Sequence, residues 1–327
     1  MDREESVTGH FIKISPEYLQ EWVKSRAGET RLGEVIALSP TPHTRYEIIG
    51  IPESVGVRAN QGIGGTETAW PAFLKAFLNL QANRFLSGEN TCLSGYFQFP
   101  DFPHSGIEEL RQKVEQIDTE VSRKIYEIVS AGRIPVVIGG GHNNAYGNLK
   151  GASQALGMPV SAINLDAHAD FRKPEGRHSG NGFSYAMSEG YLGQYSVFGL
   201  QKNYVPEYML REFDTLPQIQ VQYLDELLSS NDFSQAVQSA LQHTASLPLG
   251  IEIDLDALEN VLASASSPVG FTVQQALRFI REVKTAPNLT YIHLCEGAQE
   301  LYDGRTSPST GKLLAEMVAE FIRNAAG

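Results

Sequence analysis

The chain is short of several things, and each shortage excludes something. Cysteine occurs twice in 327 residues, at Cys92 and Cys295, too rarely for a disulfide framework and too far apart for a CxxC metal or redox motif. A reducing compartment is the expectation. No apolar run approaches the length of a membrane span. The opening residues 1–6, MDREES, lack the basic start and apolar stretch of a secretory signal, so the expected location is the cytoplasm. Positive charge is scarce too: 26 Lys and Arg against 38 Asp and Glu leave a net charge of −12. That field repels phosphate backbones and anionic lipid surfaces, and neither nucleic acid nor membrane is expected as a partner. An anionic small substrate would need local cationic side chains against this background.

What is present is the composition of an ordinary globular enzyme, 42% hydrophobic and 20% charged with 30 Gly and 16 Pro. Residues 1–45, punctuated by Pro16, Pro40 and Pro42, predict short helices in an irregular lead-in. From Glu47 onward, short apolar runs alternate with turns and longer periodic segments, the pattern of alternating strands and helices. Strands are predicted at 47–51, 134–138, 160–165, 196–200, 219–223, 249–253 and 291–295, most of them continuously apolar as buried parallel strands are. The clearest helix runs from 106 to 131, with Ile107, Leu110, Val114, Ile117, Val121, Ile125 and Ile128 at three- and four-residue spacing. Ser105 and Glu108 predict a capping box before it and Gly132 its end; Thr272 and Gln275 predict a second box for a helix through Lys284. Further helices are expected at about 67–80 and 311–324. With no internal repeat and no Gly/Ser linker, residues 1–327 read as one α/β domain with helices on both sheet faces. Ligands of such sheets bind at the carboxyl ends of the strands.

Three of those ends carry chemistry. After 134–138 comes Gly139-Gly140-Gly141-His142-Asn143-Asn144, after 160–165 comes Asp166-Ala167-His168-Ala169-Asp170, and after 249–253 comes Asp254-Leu255-Asp256. Alternate residues of an extended chain share a side, so each set can converge on one point. Four carboxylates packed together without cations could not all ionise, and metal is the economical solution. Oxygen ligands with imidazole and no thiolate favour Mn²⁺ ahead of Zn²⁺ or Mg²⁺, and six protein ligands suit two ions. A lone DxH or DxD is ordinarily a capped turn; three motifs at strand ends of one sheet argue for more. Gly62-Ile63-Gly64-Gly65 lacks the spacing of a dinucleotide loop, which leaves a dehydrogenase a poor third choice.

On these motifs the chain resembles the ureohydrolase family of arginases, agmatinases and formimidoylglutamases, from about residue 47 to the C-terminus. The resemblance implies a three-layer α/β/α fold with a parallel eight-stranded sheet, a centre of two Mn²⁺ per subunit, and assembly as a trimer or hexamer. It implies that His142 and Asp170 hold one ion, His168 and Asp256 the other, and that Asp166 and Asp254 bridge. Glu296 matches the family's glutamate that grips the substrate amidinium or guanidinium, and Asp170 is the candidate to pass a proton to the leaving amine.

The substrate is the finer question. The triple glycine before His142, Gly199-Leu200-Gln201 and Asp170-Phe171-Arg172 look more like formimidoylglutamases than arginases. Ser179-Gly180-Asn181 resembles the arginase loop that holds the amino-acid end of its substrate, but the histidine expected after it is Phe183. His178 lies nearby and either takes that place or is an exposed loop histidine without a catalytic part. Arg58, Arg172, Arg177 and Arg305 fall in loops expected near the strand ends, with Arg172 and Arg177 the candidates to hold substrate carboxylates beside Ser179 and Asn181. The reading is hydrolysis of N-formimidoyl-L-glutamate to glutamate and formamide, with arginase-like release of urea second. A non-catalytic metal-binding scaffold is the contrasting class.

Overall fold

The computed structural model describes residues 9–100, 102, 104–229 and 232–323. Its frame is a sheet of nine strands: β1 (His10–Lys13), β2 (Tyr46–Gly50), β3 (Thr91–Gln98), β4 (Ile134–Ile138), β5 (Val160–Leu165), β6 (Leu192–Leu200), β7 (Ile219–Tyr223), β8 (Leu249–Asp254) and β9 (Leu289–Cys295). They lie in the order β1-β3-β2-β4-β9-β8-β5-β6-β7. Eight strands, β2 to β9, run parallel; β1 pairs antiparallel with β3 at the edge. The expected eight-stranded, all-parallel sheet is thus corrected to nine strands and mixed direction.

Neighbouring residues of each strand face opposite layers, the consequence of a two-residue side-chain period. Ile48, Val136, Ile138, Ile163, Leu165, Ile253 and Leu294 join one core with Phe73, Phe279 and Phe321 from helices Ala69–Phe77, Val273–Val283 and Thr310–Ile322. Ile49, Val137, Ala162 and Val197 join the other, under helices Ile107–Ser130 and Asn144–Leu156. Near-continuous apolar strands are what a sheet covered on both faces requires.

Seven strands fall where the apolar runs predict them, within a few residues at the ends. The two that were not expected are β1 and β3. Strand β3, TCLSGYFQ, carries polar and small residues because its environment is made elsewhere: Ser94 donates to the buried Glu47 carboxylate at 2.7 Å, and a Cβ on Gly95 would stand 2.2 Å from the Ile12 carbonyl. The capping box at Thr272 and Gln275 is present. The one expected at Ser105 is not: the N-cap is Gly106, without a side-chain cap. The segment expected as one helix over 67–80 divides into a 3₁₀ turn, Thr66–Thr68, and the helix Ala69–Phe77. Residues 1–6 and Asn324 lie outside the described residues. Among the described residues, no helix is long and apolar enough to cross a membrane.

Candidate metal centre

The carboxyl ends of β4, β9, β8 and β5, four consecutive strands in space, bring the motif residues together. The loop after β4 turns on Gly139 (φ +85°) and Gly140 (φ +78°), where a side chain would be strained; a Cβ on Gly140 would also stand 2.4 Å from the Asn144 amide. Gly139 N–H donates to the Leu294 carbonyl at 2.8 Å, and Glu296 N–H to the Gly140 carbonyl at 3.0 Å, so the loop is tied across the end of β9.

Beneath this loop lies a residue that motif reading missed. Glu53, just past β2 and fully buried, accepts from Val55 N–H (2.6 Å) and Gly56 N–H (3.2 Å) through one oxygen. Its other oxygen accepts from Gly141 N–H (3.1 Å) and the side-chain amides of Asn143 (3.2 Å) and Asn144 (2.7 Å). Burial raises its carboxyl above the ordinary range, against the pull of those donors. Its place at a strand end was the available signal. Glu53→Ala would orphan five N–H groups and is expected to cost roughly 3–4 kcal/mol, read as a shift in the urea midpoint, with Gln recovering part of it.

The two Asp-x motifs end their strands as capped turns: Asp166 Oδ1 accepts from His168 N–H at 2.7 Å, and Asp254 Oδ1 accepts from Asp256 N–H at 2.8 Å. The capped turns are compatible with the ligand reading, since each leaves the other carboxylate oxygen free of the cap. His142 Nδ1 lies 2.8 Å from Asp170 Oδ2, 3.1 Å from Asp254 Oδ2 and 3.3 Å from Asp166 Oδ2. His168 Nδ1 lies 3.0 Å from Asp256 Oδ2 and 3.6 Å from Asp166 Oδ1. Two groups result, His142–Asp166–Asp170–Asp254 and Asp166–His168–Asp256, each with its candidate ligand atoms within 4.8 Å of one another. Asp166 belongs to both, one oxygen to each.

The donor set fits divalent cations. His142 is fully buried, yet among the described residues neither ring nitrogen has a hydrogen-bond partner of acceptable geometry. A buried imidazole facing three carboxylate oxygens without bonding any is an arrangement that needs something at their centre. Electrostatics agrees: burial, and then the charge of neighbouring carboxylates, pushes Asp254 well up, and burial followed by Asp166 raises Asp170. For Asp166 burial works upward too, but His142 and His168 hold it well below the ordinary range. Cys295 offers a thiol that donates to the Ile253 carbonyl (3.6 Å), which leaves oxygen and imidazole for a hard or borderline ion.

Both groups border a cleft of about 240 Å³ bounded by His168, Asp170, Asp254, Asp256, Glu296, Arg172, Ser179, Asn60, Gln61 and Tyr204. Asp170 (φ +43°) and Glu296 (φ +61°) are held in the left-handed region, backbone strain of the kind concentrated at working sites. Glu296 accepts from His142 N–H at 2.8 Å and from the Ser264 hydroxyl; burial pushes it up to about 7, against those two bonds. Tyr204, unmarked in the sequence, stacks on His168 with ring centroids 5.1 Å apart.

The expected substrate residues divide. Arg172 and Ser179 line the cleft, and among the described residues the Arg172 guanidinium has no ion pair or hydrogen bond. Three expectations are corrected. Arg177 is buried between the rings of Tyr146 and Tyr185, paired with Asp118 at 2.9 Å and donating to the Asn143 carbonyl at 3.0 Å. Asn181 is spent on Arg177 (2.5 Å), His178 N–H (3.0 Å) and the Gly176 carbonyl (2.8 Å). His178 is buried, not exposed: Nδ1 caps Gly180 N–H at 3.1 Å and Nε2 meets Glu175 at 3.2 Å, so it does not reach the cleft as a proton carrier. Burial draws it down to about 4. Phe183 is also buried, edge-on to His142 at 5.2 Å and stacked on Tyr195 at 4.4 Å. Arg58 donates to the Phe102 carbonyl and Arg305 pairs with Asp303, neither at the cleft.

Comparison with known proteins extends this geometry. Residues 45–322 match the model of the arginase family. The chain is 30% identical over 295 residues to a formimidoylglutamase of Geobacillus thermodenitrificans, covering 84% of each, and 29% identical over 273 residues to one of Macrococcus caseolyticus, covering 82% of each. Among solved structures it is similar to the Trypanosoma cruzi formiminoglutamase with two Mn²⁺ (TM-score 0.73, 21% identity, 90% of this chain and 97% of that one). It is also similar to the Bacillus subtilis formimidoylglutamase (TM-score 0.74, 15% identity, 91% and 93%).

Proposed function

The chain belongs to the arginase family, and from that membership we propose that it hydrolyses N-formimidoyl-L-glutamate to glutamate and formamide at a centre of two Mn²⁺. The observation that carries this reading is the pair of ligand groups sharing Asp166 on the floor of one cleft, in a chain 30% identical to a formimidoylglutamase along 84% of its length. His142, Asp166, Asp170 and Asp254 would hold one ion, and Asp166, His168, Asp256 and Asp254 the other. When bound, such a pair supplies Lewis acidity and lowers the pKa of water toward neutrality.

The rest of the chemistry falls to the chain. Glu296 faces the amidinium, a carboxylate against a delocalised cation, and sets the C–N bond over the cleft floor. Asp170, between His142 and the cleft, is the group to hand a proton to the leaving nitrogen. Arg172 pairs with a substrate carboxylate, with the Asn60 amide and Ser179 hydroxyl, 3.3 Å apart, on the same wall. Loss of one charge-assisted contact of about 1.5–3 kcal/mol sets the expectation for Arg172→Ala: KM up about 10- to 100-fold, with metal content unchanged. Steady-state kinetics beside metal analysis checks it.

Assembly as a trimer or hexamer and a cytoplasmic location are part of the same proposal. The deciding assay offers Mn²⁺-loaded protein N-formimidoyl-L-glutamate, L-arginine, agmatine and 4-guanidinobutyrate and scores formamide and urea separately. Formamide alone supports the proposal. Urea from arginine overturns the substrate, and silence on all four supports a metal-binding scaffold.

A further inference from the structure

We propose that Glu252, braced by Tyr291 and His293, is a positioning residue that keeps the proton of His142 on Nε2 and so presents Nδ1 to the metal centre. The inference rests on the two-ion reading above. Glu252 sits on β8 two residues before Asp254, therefore on the same side of the strand, and is paired in register with His293 of β9. It is fully buried, and among the described residues no Lys or Arg is its ion-pair partner.

Its bonds leave one direction open. Oε1 accepts from the Tyr291 hydroxyl at 2.8 Å, and Oε2 lies 2.6 Å from His293 Nδ1. His293 Nε2 lies 3.2 Å from the Gly139 carbonyl, so the ring is held between the strand and the glycine loop. Oε2 then stands 3.6 Å from His142 Nε2, on the side of the ring away from Asp166, Asp170 and Asp254. Those three carboxylates favour a proton on Nδ1, the tautomer that blocks the metal; Glu252 favours the opposite one. A carboxylate behind a ligand histidine commonly sets its tautomer, and losing it costs about 10–100-fold in metal affinity.

His142, Glu252 and Cys295 also lie close enough to suggest a third metal site. The Cys295 thiol donates to the Ile253 carbonyl, and Glu252 is already engaged by Tyr291 and His293, so the group reads as an orienting cluster.

The test uses the full chain with Mn²⁺, titrated by the EPR signal of the free ion, for wild type, Glu252→Ala and Glu252→Gln. Wild type is expected to bind two ions. Glu252→Ala should bind one of them about 10–100-fold more weakly, and Glu252→Gln, whose amide oxygen still accepts, should recover most of the loss. Unchanged binding of both ions in Glu252→Ala overturns the inference and leaves the two-ion reading intact. A third ion in wild type that disappears in Glu252→Ala overturns it in favour of a ligand role. Failure of wild type to bind any divalent ion removes the centre itself. Should Glu252→Ala not fold, long-range ¹H–¹⁵N spectra of metal-free ¹⁵N-histidine wild type decide, the eight histidines being few enough to resolve. A proton on His142 Nε2 supports the inference, and one on Nδ1 overturns it.

Discussion

Asparagine in place of Asp166 is expected to remove both metal ions and to lower the rate of formamide release by about 10³-fold or more, since the ions supply several kcal/mol of the rate enhancement. The reason is the division of labour between its two oxygens. Oδ2 faces His142 and Oδ1 faces His168, so one residue joins the two ligand groups. Asparagine has the same shape but a single acceptor, and either orientation of its amide fails somewhere. With nitrogen in the Oδ2 place it meets the amide nitrogen of Asn164, which now donates to Asp166 at 2.8 Å; with nitrogen in the other place it meets the His168 N–H. Metal analysis and product assay on the same preparation check both halves. Two bound ions with turnover within about tenfold of wild type would reject the shared position of Asp166.

Alanine at Arg177 is expected to destabilise the fold by about 3–5 kcal/mol, the cost of leaving one member of a buried pair without its partner. Asp118 would remain in a site where burial already pushes its carboxyl up to about 6 in spite of Arg177. The two aromatic rings that hold the guanidinium, and the Asn181 and Asn143 oxygens it serves, would also lose their contacts. Lysine is expected to rescue only in part, because a point charge cannot serve Asp118, Asn181 and Asn143 in one fork. Urea unfolding gives the stability change, and kinetics at low temperature gives the contrast with the sequence expectation. A residue that clasps substrate would raise KM in enzyme that is still folded. Arg177 is expected to lower the midpoint with KM unchanged.

Arg172 and Arg177 mark where sequence reading stops. Both follow the Asp-x-His-x-Asp run, and both looked equally able to meet a substrate carboxylate. What separates them is Tyr146 and Asp118, on helices Asn144–Leu156 and Ile107–Ser130, which meet the loop only after folding. His178 shows the same limit: its ring caps a 3₁₀ turn within its own loop. Glu53, Glu252 and Tyr204 carried no spacing signal, because a single acid or aromatic at a strand end or within a strand has many ordinary explanations.

By itself the sequence determined which strands end in candidate ligands. Apolar runs closed by Gly-Gly-Gly-His, Asp-x-His-x-Asp and Asp-x-Asp state both the strands and their chemistry, since period-two geometry and capped turns act over a few residues. The interior order of the sheet, the ninth strand at its edge and the inward or outward aim of each loop arginine were decided only by the tertiary structure. Those depend on which distant groups fill the space around a side chain. For the buried Arg177 that is the carboxylate and rings brought to it by other elements; for the buried His142 it is the carboxylates on either side of its ring.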